Sequence, residues 1–352
     1  MAIRSPRGGR GARGASARLG LVITVLLALA CMRPQPTPLA QEPAPTTAAG
    51  SRAAPAQAAT APLALRVAYV SPSAVMAPLW MAAESGAFAH HGIQVAVLHI
   101  PANTAVAALL AGEVDVLQIS GPAVLAAALQ GADLVFVAGA LDRMVFSVHA
   151  AADVRSGADL RGRLFGSDRP GTPVAYATEV ALARLGLSPG EVELLPIGSS
   201  DRLVAALLSG QLAATVLTPP ASFEAEAAGY PLLVDLYDVP YQNIGLAVRR
   251  SRLPALEPAL LALLHGYQEG IDRYAADPAF ARAVLAKYSG ETDPALLERT
   301  YDFYRAAGFT RDLHVSAEGL ANILGFLART VPAAAQARPA DFVEPRYLQQ
   351  LQ

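Results

Sequence analysis

The chain repeats part of its own sequence at a fixed distance. Residues 106–112 (Val-Ala-Ala-Leu-Leu-Ala-Gly) return with one exchange as residues 204–210, an offset of 98 (204 − 106). The same offset, without a gap, places Pro122 on Pro220 and Gly131 on Gly229. Alanine-rich helices resemble one another by chance, but aligned glycines and prolines favour a duplication. The repeat therefore predicts two similar lobes that close on a ligand.

Each copy contains a short apolar strand that ends in a hydroxyl side chain. The predicted strands are residues 116–120 and 214–218, and they end in Ser120 and Thr218. A proline turn follows both, which predicts a helix start that the preceding Ser or Thr can cap. Ligands of open α/β sheets bind outside the carboxyl ends of the strands. Ser120 and Thr218 are therefore candidate ligand contacts, and helix capping alone is the alternative.

The first 31 residues have the layout of an export signal. Five arginines and no acidic residue precede an apolar run, residues 19–30, which meets Cys31. This run is shorter than the roughly 20 residues that a membrane-spanning helix needs. The small residues before Cys31 resemble a bacterial lipoprotein box, although Ala28 stands where leucine is usual. The resemblance implies a lipid anchor on Cys31, and ordinary cleavage of the signal peptide (1–30) near Ala30 is the alternative.

The composition changes after the signal. Residues 31–62 are rich in Pro, Ala, Thr and Gln, which predicts a disordered tether. The remaining 290 residues (352 − 62) suit two domains. We expect lobe I at 63–146 and 244–352 and lobe II at 147–243. The net charge of −2 and the absence of a basic patch argue against nucleic acid as a partner, and we expect a monomer.

Strands and helices alternate along both lobes. Alternation predicts a mostly parallel sheet with helices on both faces, and either Asn103 or Thr104 is the expected cap of the helix with the first repeat. Residues 255–275 and 296–306 read as helices that pack on the first lobe. The predicted strands are 63–70, 93–98, 134–140, 164–167, 192–197, 231–236 and 241–248, with helices at 77–85 and 172–185.

Three motifs carry a family resemblance. Residues 77–93 contain Ala-Glu-Ser-Gly-Ala-Phe followed by His-Gly-Ile, residues 110–116 contain Leu-Ala-Gly-Glu-Val-Asp-Val, and residues 159–163 read Asp-Leu-Arg-Gly-Arg. In this order they resemble ABC-transporter substrate-binding proteins for aliphatic sulfonates, taurine, nitrate and thiamine precursors, the SsuA/THI5-like and NMT1-like family. The likeness runs from about Leu65 to Phe326.

The resemblance implies the periplasmic binding protein type II fold. In that fold two Rossmann-like α/β lobes are joined by a hinge of two crossing segments, followed by a helical C-terminal part. The lobes close on one small molecule in the cleft, and an ABC permease in the membrane receives it. The family binds anions, zwitterions and heteroaromatic compounds on the same fold, so the resemblance does not define the ligand.

Candidate ligand contacts lie in the loops at strand ends and near the crossings. The helix that follows Gly171 can present free amides to an anion, whereas capping alone is the alternative for Thr172 and a solvated charge is the alternative for Arg143. The candidates are Ser71, Ser73, Met76, Gln118, Ser120, Asp142 and Arg143 in the first lobe, Gly171, Thr172 and Thr218 in the second, and Tyr241 and Gln242 at the second crossing.

Catalytic motifs are scarce in this sequence. The six histidines show no metal-ligand spacing, and His90 and His91 read as a solvated surface turn. Neither a glycine-rich phosphate loop nor a nucleophile elbow occurs, so we expect a binding protein without metal or cofactor. A ligand sensor for a signalling partner is one alternative. An enzyme of thiamine-pyrimidine type is another, although such enzymes carry a cysteine-rich motif and the only cysteine here is Cys31.

Overall fold

A computed structural model of the chain describes residues 63–351. The strands are β1 (Leu63–Tyr69), β2 (Ile93–His99), β3 (Val116–Ile119), β4 (Leu134–Arg143), β5 (Ser147–Ala150), β6 (Leu164–Ser167), β7 (Glu193–Pro196), β8 (Ala214–Leu217), β9 (Leu232–Asp235) and β10 (Pro240–Arg249). The helices are α1 (Ala77–Glu84), α2 (Ala87–His90), α3 (Ala102–Ala111), α4 (Gly121–Leu129), α5 (Pro173–Arg184), α6 (Ser200–Leu208), α7 (Ala221–Ala227), α8 (Leu253–Ala276), α9 (Pro278–Ser289), α10 (Pro294–Ala307), α11 (Ala317–Leu327) and α12 (Arg346–Gln349).

The strands form two five-stranded sheets with the same order of equivalent strands. The first is β2-β1-β3-β10-β4 and the second is β7-β6-β8-β5-β9. β1 runs parallel to β2 and β3, and β6 runs parallel to β7 and β8. β10 and β5 are antiparallel to both of their neighbours. The sequence predicted mostly parallel sheets, and the crossing strand is the exception in each because it arrives from the other half of the chain.

The 98-residue offset holds for the elements as well as for the sequence. Adding 98 to the bounds of β3 gives 214–217, which are the bounds of β8, and adding it to the start of β4 gives residue 232, the start of β9. Gly112 and Gly210 have φ angles of 79° and 75°. Both end helices in the left-handed conformation that glycine adopts without a side-chain clash. The two sheets are thus copies of one unit.

The long helix α8 packs against the first sheet and against α1 and α2, as predicted for the helical C-terminal part. The contact is close: a Cβ on Gly266 would lie 2.7 Å from Phe88 Cδ1, and one on Gly270 would lie 2.6 Å from the main-chain nitrogen of Ala82. Trp80 is 0% exposed and belongs to this core, as predicted. Glycines on α8 therefore set how near α1 and α2 approach.

The C-terminal chain covers the outer edge of β4. Gly139 N donates to Leu313 O at 2.7 Å, Thr310 N donates to Ala140 O at 2.9 Å, and Glu344 N donates to Phe136 O at 2.8 Å. An uncovered edge strand offers its free backbone groups to other chains. These contacts satisfy β4 within the same molecule.

One local prediction was wrong, and one strand was missed. α3 begins at Ala102 with Pro101 in the N-cap position, and no side chain caps it within the described chain. Thr104 instead donates its hydroxyl to Pro101 O at 3.1 Å, so neither Asn103 nor Thr104 is the cap. The four-residue strand β5 was missed, because so short an apolar segment has no readable period.

The predictions for the N-terminal part concern residues outside the described range. These comprise the signal peptide, the lipidation of Cys31 and the tether. The boundaries of the two lobes stay predictions. No helix in residues 63–351 is both long and apolar enough to cross a bilayer.

Candidate ligand-binding cleft

The loops after β1 and β3 leave the first sheet at one edge. These strands are parallel neighbours in which Tyr69 lies opposite Gln118, and neighbouring strands lie about 4.8 Å apart. The loop with Ser71 and Ser73 and the start of α4 at Ser120 therefore emerge side by side. Ser71 and Ser73 are both half-buried.

Ser120 occupies the N-cap position of α4 but makes no side-chain capping bond within the described chain. Its hydroxyl lies near the phenol of Tyr241, which is 0% exposed and has no hydrogen-bond partner among residues 63–351. Burial raises the pKa of Tyr241 well above its usual value, and Ser120 acts in the opposite sense. Ser120 is thus a polar neighbour of Tyr241, whose hydroxyl makes no hydrogen bond within the described chain.

Ser73 is likewise a polar neighbour of a buried phenol, that of Tyr304 on α10. Burial raises the pKa of this phenol, and the nearby Ser73 opposes the shift. The Tyr304 hydroxyl, that of Thr300 one turn earlier, and that of Ser222 on α7 are all buried without a partner in the described part of the chain. We call Ser73, Ser120, Ser222, Tyr241, Thr300 and Tyr304 the hydroxyl set.

The C-terminal helices connect the first sheet to the helices of the second. On one side the ring of Tyr176 on α5 lies 5.5 Å from that of Tyr241 and 4.8 Å from that of Phe326 on α11. On the other side Arg299 on α10 donates to Glu226 on α7 at 2.6 Å, and its guanidinium lies 4.1 Å from the ring centre of Phe223. The elements that carry Tyr241, Thr300 and Tyr304 thus contact helices α5 and α7, which pack with the second sheet.

Two predicted contacts already use their amide groups inside the protein. Gln118 donates to Met76 O at 3.1 Å and to Met76 Sδ at 3.0 Å, and it accepts from the Tyr267 hydroxyl at 2.7 Å. Gln242 donates to Ile244 O and accepts from Ser316 N, both at 2.7 Å. Both glutamines are 0% exposed, and Met76 is 3% exposed. Their part in ligand binding stays a prediction, whereas their part in ordering the strand ends is observed.

Asp142 and Arg143 lie at the end of β4, beside the returning strand β10. Asn243 donates to Arg143 O at 3.0 Å, which joins the two crossings. Arg143 Nε lies 3.4 Å from Asp142 Oδ1, and His314 Nε2 lies 3.4 Å from Asp142 Oδ2. The Arg143 side chain is 48% exposed, so its charge faces solvent in this structure.

The predicted contacts of the second lobe separate into capping and non-capping residues. Thr172 accepts from Ala175 N at 3.2 Å and therefore caps α5. Thr218 precedes Pro220, the N-cap of α7, by two residues, and its hydroxyl lies 3.3 Å from that of Ser200. Gly171 has a φ of 87°, and a Cβ there would meet nothing within 4 Å among the described atoms. Capping thus accounts for Thr172 but not for Ser120 or Thr218.

The comparisons with known proteins agree with this architecture. The sequence model described as NMT1/THI5 like matches residues 73–281, which is 209 residues (281 − 73 + 1) and more than half of the 352. The chain belongs to the NMT1/THI5-like family. No curated protein sequence matches it significantly.

Several solved structures share the fold of this NMT1/THI5-like chain. The alkanesulfonate-binding protein SsuA of Xanthomonas axonopodis, bound to MOPS, is 20% identical with a TM-score of 0.66, covering 82% of this chain and 100% of its own. The periplasmic aliphatic sulphonate binding protein SsuA of Escherichia coli is 20% identical with a TM-score of 0.66, covering 80% and 99%. The periplasmic nitrate-binding protein NrtA of Synechocystis is 14% identical with a TM-score of 0.66, covering 83% and 89%. These similarities confirm the predicted two-lobed fold.

Sequence reasoning missed half of the hydroxyl set of this NMT1/THI5-like protein. Ser222, Thr300 and Tyr304 were not among the predicted contacts. Ser222 comes two residues after Pro220, which the repeat aligns with Pro122, and the two tyrosines of α10 were the available signal for the other two. Neither signal shows that α10 reaches the strand ends, because Tyr304 is more than 200 residues from Ser73 along the chain.

Proposed function

We propose that this protein is an extracytoplasmic solute-binding lipoprotein of an ABC importer. In this role it captures a small organic or oxyanion solute between its lobes and delivers it to a permease. The family and the two-lobed fold support the binding role. The export-type N-terminus and the lipobox-like residues before Cys31 support a position on the outer face of a membrane. We further propose that it acts as a monomer.

The hydroxyl set is the observation that carries the proposed binding role. A buried hydroxyl without a partner forgoes about 1–3 kcal/mol, and such groups are rare enough in proteins to need a reason. Here Tyr241 and Tyr304 each lie beside a serine at the carboxyl edge of the first sheet. A ligand that accepts hydrogen bonds at this edge would satisfy these groups when the lobes close.

The chemistry of the hydroxyl set favours a ligand rich in acceptor atoms. Serine, threonine and tyrosine hydroxyls can donate hydrogen bonds as well as accept them, and their donor groups suit a ligand whose oxygen atoms accept. The solved relatives include proteins described as binding alkanesulfonates and nitrate, whose oxygen atoms are acceptors. We therefore propose an oxyanion or sulfonate group as the first class of ligand to test, followed by pyrimidines and flavins.

Two other functions fit the same fold. A receptor that reports its ligand to a signalling partner would use the same cleft, and a permease and an ATPase encoded beside it would favour transport. An enzyme of thiamine-pyrimidine type would have to act without the cysteine-rich motif of such enzymes, since Cys31 is the only cysteine. Turnover of a bound compound by the purified protein would favour the enzyme.

The binding proposal is tested first by a thermal-shift screen. Sulfonates, nitrate, bicarbonate, pyrimidines and flavins are each added to the purified full chain. A ligand present at 100 times its dissociation constant stabilises the folded state by about 2.7 kcal/mol, which is a measurable shift. Calorimetry on the compound that gives the largest shift then supplies an affinity.

Two serine variants distinguish ligand contact from capping. Ser120 makes no capping bond within residues 63–351, so Ser120→Ala should leave the melting temperature nearly unchanged and weaken the ligand by several-fold, the loss of a bond worth about 0.5–1.5 kcal/mol. Ser156 caps a surface turn through a reciprocal pair with Asp159, so Ser156→Ala should lower the melting temperature and leave affinity unchanged. Equal affinity in wild type and Ser120→Ala would remove Ser120 from the site. Failure of every compound class to shift the melting temperature would contradict the binding role.

A further inference from the structure

Two adjacent histidines on the surface of the first lobe share one carboxylate oxygen. His90 Nδ1 lies 2.8 Å from Glu269 Oε2, and His91 Nε2 lies 3.1 Å from the same atom. The three potential ligand atoms all lie within 4.8 Å of one another. The sequence predicted a solvated turn here, without metal-ligand spacing. The exposed turn is as predicted, but the prediction did not include Glu269, which is 178 residues from His91 along the chain.

The packing of α2 on α8 builds this cluster. His90 ends α2, His91 follows it, and Glu269 lies on α8. The absence of a side chain at Gly266 lets Phe88 of α2 approach α8, since a Cβ there would lie 2.7 Å from Phe88 Cδ1. His265, one turn before Glu269, stacks on His91 with ring centres 5.5 Å apart and planes at 22°. Core contacts and this stacking therefore hold both sides of the cluster in place.

We propose that His90, His91 and Glu269 form a binding site for Zn²⁺ or a related divalent transition metal ion. Zinc binds imidazole nitrogen at about 2.0–2.1 Å and carboxylate oxygen at about 2.0–2.2 Å, so tetrahedral ligand atoms lie roughly 3.3 Å apart. The two nitrogen-to-oxygen distances, 2.8 and 3.1 Å, are slightly shorter than this ligand-to-ligand distance. Two histidines and one glutamate also form a known zinc ligand set that leaves one position for water or another ligand.

Metal binding requires a change of tautomer at the histidines and a slight separation of the nitrogen and oxygen atoms. In the metal-free hydrogen bonds, each ring nitrogen that faces Glu269 carries the proton, since an ionised carboxylate only accepts. As neutral ligands both rings place that proton on the other nitrogen and direct a lone pair to the metal. The side chains of His90, His91 and Glu269 are 72%, 30% and 40% exposed, so the ion can enter from solvent.

The test is a calorimetric titration of the full chain with ZnCl₂. The protein carries Cys31→Ser and no histidine tag, so that neither a thiol nor a tag contributes. We expect one equivalent of Zn²⁺ to bind. His91→Ala and Glu269→Gln should each weaken binding at least tenfold, because removing even an outer partner of a metal ligand typically costs 10–100-fold in affinity.

His99→Ala is the matched control. His99 is an exposed histidine at the end of β2, the strand that follows His91. Its ring stacks on Tyr69. This variant should bind Zn²⁺ as the wild type does, and circular dichroism should show all variants folded. Zinc binding that is absent in the wild type, unchanged in the folded cluster variants, or equally weakened by His99→Ala would overturn the proposal. None of these outcomes bears on the cleft, because the zinc site does not use the hydroxyl set.

Discussion

At the scale of single residues, Asp115 of the motif at residues 110–116 holds two strands together. Its carboxylate accepts from the main-chain nitrogen and from Nη2 of Arg66, both at 2.9 Å. Arg66 Nη2 also donates to Gly112 O at 2.9 Å. Strand β1 is thus fastened to the turn that precedes β3. The residue is structural, as the sequence favoured, and its position fixes the register of the strands that carry Ser73 and Ser120.

Asp115 should make stability depend on pH. Burial by itself would raise its pKa, but the hydrogen bonds and charge of Arg66 outweigh burial and lower the pKa below its usual value. A lowered pKa in the folded state means that the unfolded state binds more protons, so the contribution is complete above about pH 4 and lost as pH falls toward the folded value. Asp115→Asn should cost about 1.5–3 kcal/mol at pH 7 and reduce this acid dependence.

Urea unfolding at pH 7 and at pH 3 measures both effects. The control is Asp302→Asn, since Asp302 is 57% exposed and lies 4.0 Å from Arg305, and exposed pairs contribute only about 0–1 kcal/mol. If Asp115→Asn and Asp302→Asn lose stability equally at pH 7, the carboxylate of Asp115 does not hold the two strands together.

At the scale of elements, Gly270 on α8 and Gly325 on α11 have opposite roles. On α8 a Cβ at Gly270 would lie 2.6 Å from Ala82 N and 2.8 Å from Pro78 O, both main-chain atoms of α1. On α11 a Cβ at Gly325 would meet nothing within 4 Å among the described residues. The first glycine permits close helix packing, whereas the second has no such contact to protect.

A pair of alanine substitutions should therefore change stability in opposite directions. Gly270→Ala forces α1 and α8 apart, and overpacking of this kind costs about 1–3 kcal/mol. Alanine loses less conformational entropy than glycine when a helix forms. Gly325→Ala should therefore stabilise the protein by about 0.5–1 kcal/mol. Chemical denaturation of both variants measures the difference. Destabilisation by Gly325→Ala, or no loss in Gly270→Ala, would contradict the described packing.

At the scale of the whole molecule, the C-terminal helices α10 and α11 contact helices that pack with the second sheet. α10 reaches α7 through Arg299, and α11 reaches α5 through Phe326. An ion pair between Arg329 and Glu179 adds to the second contact. Besides these polar and aromatic contacts, one buried hydrophobic cluster includes residues of both sheets, among them Leu117 of β3 and Val216 of β8, together with Leu320 of α11.

The proposed membrane anchor concerns the whole molecule and rests on the sequence alone. Cys31→Ser removes the only cysteine and with it the proposed lipid attachment, so the folded protein should move from the membrane fraction to the soluble fraction. Ligand affinity should not change, because Cys31 is not among the predicted ligand contacts. Cell fractionation followed by immunoblotting measures the shift. A variant that still sediments with membranes in high salt would refute the lipoprotein interpretation.

The sequence by itself determined the unit from which this protein is built. The repeat placed β3 and β8 at their observed bounds except for the final hydroxyl residue, and it aligned Gly112 with Gly210 in the same backbone conformation. It also placed Ser120 and Thr218 at the strand ends. These features depend on residues within a few positions of one another, through apolar periodicity and the backbone freedom of glycine.

Only the tertiary structure decided how distant segments complete these units. It made β10 and β5 antiparallel, brought Tyr304 to Ser73, occupied Gln118 and Gln242 with internal hydrogen bonds, and joined His91 to Glu269. The partners in these contacts are set by the packing of helices and sheets, and local sequence patterns carry no information on which distant residue a packed face will meet. The fold and half of the hydroxyl set were therefore predictable from the chain, whereas Ser222, Thr300, Tyr304 and the histidine cluster were not.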